Sequence, residues 1–162
     1  MCGIISMDTH IIYIGLGSNL GNGRHNLDAA IERLRAEVGE VLYASAYVES
    51  EPWGYVSSHR FTNAVAVLRT THDPVTVLDI TQRIEWQMGR RHKRRPGEGY
   101  SDRIIDLDIL LYDDLHLVTE RLVLPHPHIA DRDFVRIPLE ECRAAMQQIE
   151  NDIKNNPTIS QQ

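Results

Sequence analysis

Cysteine is nearly absent: the 162-residue chain has two, Cys2 and Cys142, near opposite ends. Neither sits in a metal-ligand spacing, so a disulfide framework is excluded and the usage suits a reducing cytoplasm. No apolar run approaches the roughly 20 residues that a membrane-spanning helix needs. The opening residues 1–7 also lack the charged start and long apolar stretch of a secretion signal. The expectation is a soluble, cytoplasmic protein with no membrane partner. Basic residues are in deficit, 17 against 23 acidic ones, leaving a formal charge of −6. Such a balance argues against a protein that coats nucleic acid or an anionic surface, so any anion it binds must be met by a local cationic patch. Repeats and low-complexity tracts are missing too. The glycine cluster Gly15-Leu16-Gly17-Ser18-Asn19-Leu20-Gly21 has neither the dinucleotide spacing nor the Gly-Lys-Ser/Thr of a P-loop. Phosphate must then be held by side chains and metal. No Ser-His-Asp, catalytic-cysteine or glycosidase carboxylate arrangement stands out.

What is present fits one domain over residues 11–153, with an N-terminal extension at 1–10 and a polar tail at 154–162. Residues 11–16 read as a buried strand. Leu27, Ala30, Ile31, Leu34 and Val38 form a helical stripe that Gly39 can end in a left-handed conformation. A strand over 41–49, a loop over 50–60 and a strand over 61–70 follow, with Phe61, Asn63, Val65 and Val67 on one face of the last. Asp73-Pro74 starts a second helix that should run to Met88 and stop at Gly89. Residues 90–103 read as a mobile basic loop, 104–112 as the clearest strand, 115–118 and 121–124 as short strands. A last helix is expected within 139–153. Strand, helix, strand, strand, helix, strand is the order of a ferredoxin-like α+β sandwich, an antiparallel sheet with helices packed on one side.

The most informative feature is Asp106-Leu107-Asp108. Strand alternation puts Ile105, Leu107, Ile109 and Leu111 on one face and projects Asp106 and Asp108 together from the other. Two such carboxylates repel, and a divalent cation offsets that repulsion. Magnesium suits the pair, since it takes a few carboxylates plus phosphate oxygens and waters. The competing reading is an exposed pair on the wet face of a sheet, matched by neighbouring cations. Nearby stands Arg90-Arg91-His92-Lys93-Arg94-Arg95, with Arg103 just before the aspartates and Arg121 and Arg132 beyond them. Cations flanking a metal-binding pair form an arrangement for polyphosphate, because arginine forks onto phosphate oxygens. Pro125-His126-Pro127-His128 is a weak zinc signal, and a histidine donating to phosphate is the better reading.

Together these pieces resemble the 6-hydroxymethyl-7,8-dihydropterin pyrophosphokinase family. The match is ordered across residues 11–140: residues 13–21, Phe61-Thr62-Asn63-Ala64, Gln82 to Glu85 with Gly89-Arg90, 103–110, and Pro125-His126 with Arg132 and Phe134. The resemblance implies an ATP-dependent step of folate biosynthesis giving AMP and the pterin diphosphate, with two magnesium ions bridged by Asp106 and Asp108. It implies that Phe61 and Phe134 sandwich the pterin and that Asn63 reads its amide edge, assisted by Ser50, Pro52, Trp53 and Gly54. Gln82, Glu85, Arg121, His126 and Arg132 would face the nucleotide and its phosphates. Arg103 and, from the basic loop, Arg90 and His92 would take catalytic roles. No obligatory protein partner is implied. The chain departs from the family pattern at His92, where arginine is common, and at Ser101-Asp102, where glycine and proline are usual. Phe61 also replaces a tyrosine, and Pro127 follows His126. Two readings of other classes stay open: a ferredoxin-like nucleic-acid-binding module stacking bases on Phe61 or Phe134, and a metal nuclease or nucleotide cyclase built on the aspartates.

Overall fold

The computed structural model describes residues 8–89 and 102–156. In chain order it holds β1 (His10–Ser18), α1 (Gly23–Glu37), β2 (Glu40–Ala44), β3 (Val48–Ser50), β4 (Phe61–Thr70) and α2 (Pro74–Gln87). There follow β5 (Asp106–Tyr112), the small hairpin pair β6 (Leu117–Val118) and β7 (Val123–Leu124), and α3 (Asp133–Asn155). The main sheet is antiparallel in the order β2-β4-β1-β5, with β3 also pairing β4. That is the ferredoxin-like arrangement expected.

Local chemistry explains both early helices. Asn22 accepts the His25 N–H at the start of α1, and Asp73 accepts that of Thr76 at 2.7 Å, ahead of Pro74, at the start of α2. Gly89, at φ 114°, follows α2 in the left-handed region. Gly39 is not left-handed, contrary to expectation. Its place is set by close approach, since a Cβ there would lie 2.0 Å from the Arg69 carbonyl oxygen.

The sheet is covered on both faces, which corrects the expectation of helices on one side. Ile12, Ile14, Leu16, Ala64, Ala66, Leu68, Leu107 and Ile109 pack against α1 and α2. Val65, Val67 and Leu110 pack against Leu139 and Cys142 of α3. The reason lies in β4, where Ala64, Val65, Ala66, Val67 and Leu68 are all buried, so both of its faces must be sheltered from water. α3 begins at Asp133, six residues ahead of the expected bound, and runs through Pro138, which forfeits one intrahelical hydrogen bond near the start.

Irregularities of pairing shape the sheet, among them a register shift of β2 against β4 between Val41 and Tyr43. The expected strand over 41–49 is broken, because the Ser45 hydroxyl takes the Val65 N–H at 3.0 Å in place of a ladder carbonyl and lets the chain step from β2 to β3. In β5 the pairing jumps from Ile14↔Ile109 to Tyr13↔Leu111, which makes Leu110 a bulge. Beyond it the alternation reverses. Leu111 therefore joins Leu110 on the α3 face and Tyr112 returns to the other, whereas unbroken alternation had put Leu111 with Leu107 and Ile109. Among the described residues no helix is long and apolar enough to cross a membrane.

Candidate active site

On the α3 face, β1 presents two glycines where its neighbours present side chains. Gly15 pairs with Val65 on one side and Asp108 on the other, and Gly17 with Asn63 and Asp106. A Cβ at Gly17 would sit 3.4 Å from Asn63 Oδ1 and 3.6 Å from the Phe61 ring. Lacking it, the sheet is hollowed between β4 and β5. α3 covers the rest of this face and reaches the hollow only with its first turn, at Phe134 and Val135. The result is a cavity of about 330 Å3 lined by Trp53, Phe61, Asn63, Arg103, Asp106, Asp108, His126, Arg132 and Phe134, with the two glycines in its wall.

One end is aromatic. Asn63, 4% exposed, donates through Nδ2 to Ser50 Oγ at 2.8 Å and to the Val48 carbonyl at 3.3 Å. Ser50 thus orients Asn63 without lining the cavity. Tyr55 meets Phe61 edge-on at 6.5 Å, and the Arg103 guanidinium lies 5.4 Å from the same ring. Arg132 stacks over Trp53 at 4.0 Å, and Trp53 lies 5.1 Å from the His128 ring. These cation–π contacts hold arginines at the cavity while leaving their forks directional.

The other end is charged. Asp106 and Asp108 lie one pleat apart, both half-buried, with Arg103 Nη1 3.3 Å from Asp106 Oδ2. Among the described residues no group of three or more His, Cys, Asp or Glu is placed to hold a metal. The pair fits magnesium on chemical grounds: two hard oxygen donors face one open hollow, and the remaining positions fall to phosphate and water. The same count leaves the His126-His128 segment without the ligands zinc requires. His126 is pushed down to about 4, first by burial, then by Arg132 and His128, with Asp106 opposing. It is neutral at pH 7. Its Nδ1 accepts the His128 backbone N–H at 3.1 Å, so Nε2 carries the proton and is a donor.

Other expected residues lie elsewhere. Pro52 and Gly54 sit in the 51–60 segment beside Trp53 but do not line the cavity, and Gly54 has φ 83°. Gln82 and the buried Glu85 are on α2, outside the lining. Arg121 is exposed and paired with Asp79 of α2 at 2.6 Å. Arg90 and His92 lie outside the described residues, as does most of the basic loop.

Asn19, Tyr55 and Asp102 are additions that reading the chain did not supply. Asn19, 5% exposed, donates to Asp102 Oδ1 at 2.9 Å, to the Tyr55 hydroxyl at 3.1 Å and to the His59 carbonyl at 3.2 Å. Burial works against the charge on Asp102, but hydrogen bonds from Ser57, Asn19 and Tyr55 outweigh it and hold the carboxyl below its usual range. The available signals were an asparagine inside a glycine cluster, which once buried must find partners, and the departure from the family pattern at Ser101-Asp102.

An acidic pair beside cations, sharing a hollow with an aromatic wall on a ferredoxin-like sheet, is the equipment of a small transferase working on polyphosphate. Comparison with known proteins narrows the class. Residues 13–155 match the family described as 7,8-dihydro-6-hydroxymethylpterin-pyrophosphokinase (HPPK). A 2-amino-4-hydroxy-6-hydroxymethyldihydropteridine pyrophosphokinase of Porphyromonas gingivalis is 48% identical over 132 residues, 81% of this chain and 89% of that one. Its Bacillus subtilis counterpart is 35% identical over 150 residues, covering 92% and 86%. A crystallised triple mutant of Plasmodium falciparum HPPK-DHPS superposes with a TM-score of 0.64 at 16% identity, over 84% of this chain. This chain spans only 41% of that protein, and the likeness speaks for the fold alone. The chain belongs to the 7,8-dihydro-6-hydroxymethylpterin-pyrophosphokinase family and is an ATP-dependent pyrophosphokinase.

Proposed function

We propose that this chain transfers the terminal pyrophosphoryl group of ATP to the hydroxymethyl group of 6-hydroxymethyl-7,8-dihydropterin in folate biosynthesis, releasing AMP. The observation that carries the reading is that one cavity holds both Asp106 with Asp108 and Phe61, Asn63 and Phe134. A flat ring and a phosphate chain can therefore meet inside it.

In this reading Phe61 and Phe134 stack on the ring and Asn63, fixed by Ser50, reads its amide edge, with Pro52, Trp53 and Gly54 shaping the wall. The acceptor's hydroxymethyl oxygen attacks the β-phosphorus, the bond from that phosphorus to the AMP oxygen breaks, and the hydroxyl proton passes to solvent. Asp106 and Asp108 would hold two magnesium ions. When bound, these supply charge neutralisation and make the hydroxyl easier to deprotonate. Arg103 and Arg132 hold phosphate oxygens through their forks, and neutral His126 donates through Nε2. Gln82, Glu85 and Arg121 are assigned to the nucleotide on family resemblance alone, and Arg121 would exchange Asp79 for it. Arg90 and His92 keep their assigned roles on the same ground. A cytoplasmic location suits these soluble substrates.

AMP formation with magnesium and ATP, with and without the pterin alcohol, tests the reading. AMP should appear only with the acceptor, in equal amount to the pterin diphosphate. Release of ADP, or of AMP regardless of the acceptor, would sink it. The nucleic-acid-binding alternative finds no support in the comparisons.

A further inference from the structure

The aromatic wall and the phosphate side of the cavity are carried by different loops, and one carboxylate joins them. Asp102 Oδ1 accepts the Tyr55 hydroxyl at 3.0 Å and Asn19 Nδ2 at 2.9 Å, while Oδ2 faces His59 Nε2 at 4.0 Å. Tyr55 and His59 belong to the 51–60 segment that brings Trp53 to the cavity. Asn19 in turn clasps the next residue along, Arg103, from both sides. The Arg103 N–H donates to Asn19 Oδ1 at 2.7 Å, and the Asn19 N–H donates to the Arg103 carbonyl at 3.0 Å. From that clasp the Arg103 side chain, 11% exposed, reaches Asp106 and lies over Phe61. A charged carboxylate that binds Asn19 and Tyr55 and also takes a hydrogen bond from Ser57 of the same 51–60 segment makes a stiff joint.

We propose that Asp102 is a positioning residue for the transfer: by binding Tyr55 and Asn19 together it fixes where Arg103 stands, so that the loop walling the acceptor and the arginine facing the phosphates move as one unit. This rests on the pyrophosphokinase reading above. An arginine that grips the phosphates best in the transition state must be held to a fraction of an ångström, and misplacement by about 1 Å slows a reaction on the order of a hundredfold. Loss of the latch should accordingly lower the rate of transfer and leave ground-state ATP binding nearly intact.

The test compares wild-type protein with Asp102→Ala, Asp102→Asn, Tyr55→Phe and the Tyr55→Phe/Asp102→Ala double variant. Single-turnover AMP formation is measured beside calorimetric affinity for a non-hydrolysable ATP analogue. Asp102→Ala should slow transfer by roughly tenfold to a hundredfold and change analogue affinity by less than about threefold. Asp102→Asn keeps an acceptor oxygen for both donors and should recover most of the rate. Tyr55→Phe should slow transfer on its own and add nothing in the Asp102→Ala background. Transfer in Asp102→Ala within about twofold of wild type overturns the proposal, as does an equal loss in Asp102→Asn, or additivity of the two changes. If Asp102→Ala does not fold, Tyr55→Phe and Asp102→Asn decide alone, the first slow and the second near wild type. If the wild-type protein makes no acceptor-dependent AMP, the functional reading has failed, and amide exchange in the ligand-free protein judges the latch separately. The Arg103 amide and the 51–60 segment should lose protection together in Tyr55→Phe, and unchanged protection at Arg103 refutes the latch.

Discussion

Two carboxylates one pleat apart, opposite two glycines, face the same open space. Asp106 pairs with the largely buried Arg103, whose Nη1 lies 3.3 Å from Oδ2. Asp106→Ala and Asp108→Ala should each lose nearly all magnesium-dependent AMP formation, because a metal ligand is removed from a reaction that depends on charge neutralisation. Full activity in either would remove the metal assignment. Without metal, Asp106→Ala removes the carboxylate that Arg103 meets and should lose about 1 kcal/mol. Denaturant unfolding of the metal-free variant reads that loss. His126 makes a second residue-scale prediction. Its folded value of about 4 lies below the ordinary 6.5, so between those pH values the unfolded chain binds more protons than the folded one. Stability is therefore fully retained above pH 6.5 and is lost as pH falls towards 4, by at most about 3 kcal/mol. In the metal-free protein His126→Gln should flatten the slope of unfolding free energy over that window. An unchanged slope would mean that His126 is not the group that titrates.

At the scale of elements, what could be read from the chain is what short-range chemistry decides. Asp73-Pro74 marked the start of α2 and Gly89 its end because a cap, an N1 proline and a left-handed glycine act within a turn. The start of α3 was not legible. Arg132 caps it through its backbone carbonyl, which accepts from Val135 and Arg136, and Pro138 stands inside it, so no residue type announces it. The break between β2 and β3 depends on Ser45 meeting Val65, 20 residues away, and the Leu110 bulge depends on pairing with β1. Neither partner is adjacent in sequence, so no local pattern reports it. Gly39 shows the same limit, since its need for no side chain comes from the Arg69 carbonyl across the α1–β2 junction. Gly39→Ala should therefore destabilise the protein by about 1–3 kcal/mol, through displaced backbone rather than through helix propensity. A loss no larger than a few tenths of a kcal/mol in thermal or denaturant unfolding would show that the junction yields easily.

Across the whole molecule the two faces of the sheet divide the labour. The face under α1 and α2 is filled by the larger apolar cluster, whereas the other shares its length between α3 and the cavity. Strand periodicity made the side-by-side carboxylates legible, and ordered motifs made the family legible. The resemblance also grouped Phe61, Asn63, Trp53 and Phe134, whereas the hollow that Gly15 and Gly17 of β1 open between β4 and β5 comes only from strand pairing. That division yields a prediction about separability. Phe134 reaches the cavity from the half-buried first turn of α3, and Asn63 from β4, each away from the carboxylates in sequence but on the same hollowed face. Phe134→Ala removes a stacking surface and leaves Leu139 and Cys142 to hold α3 against Val65 and Val67. Asn63→Ala removes the amide that Ser50 and Val48 orient, and with it the directional contact to the ring. Each should weaken binding of the pterin alcohol by about tenfold or more, equivalent to roughly 1.4 kcal/mol, while affinity for a magnesium-bound ATP analogue changes by less than about twofold. Calorimetric titration of each ligand on each variant separates the effects. Equal losses for both ligands would mean that the aromatic wall supports the whole cavity, and unchanged pterin affinity in both variants would place the acceptor elsewhere on the protein.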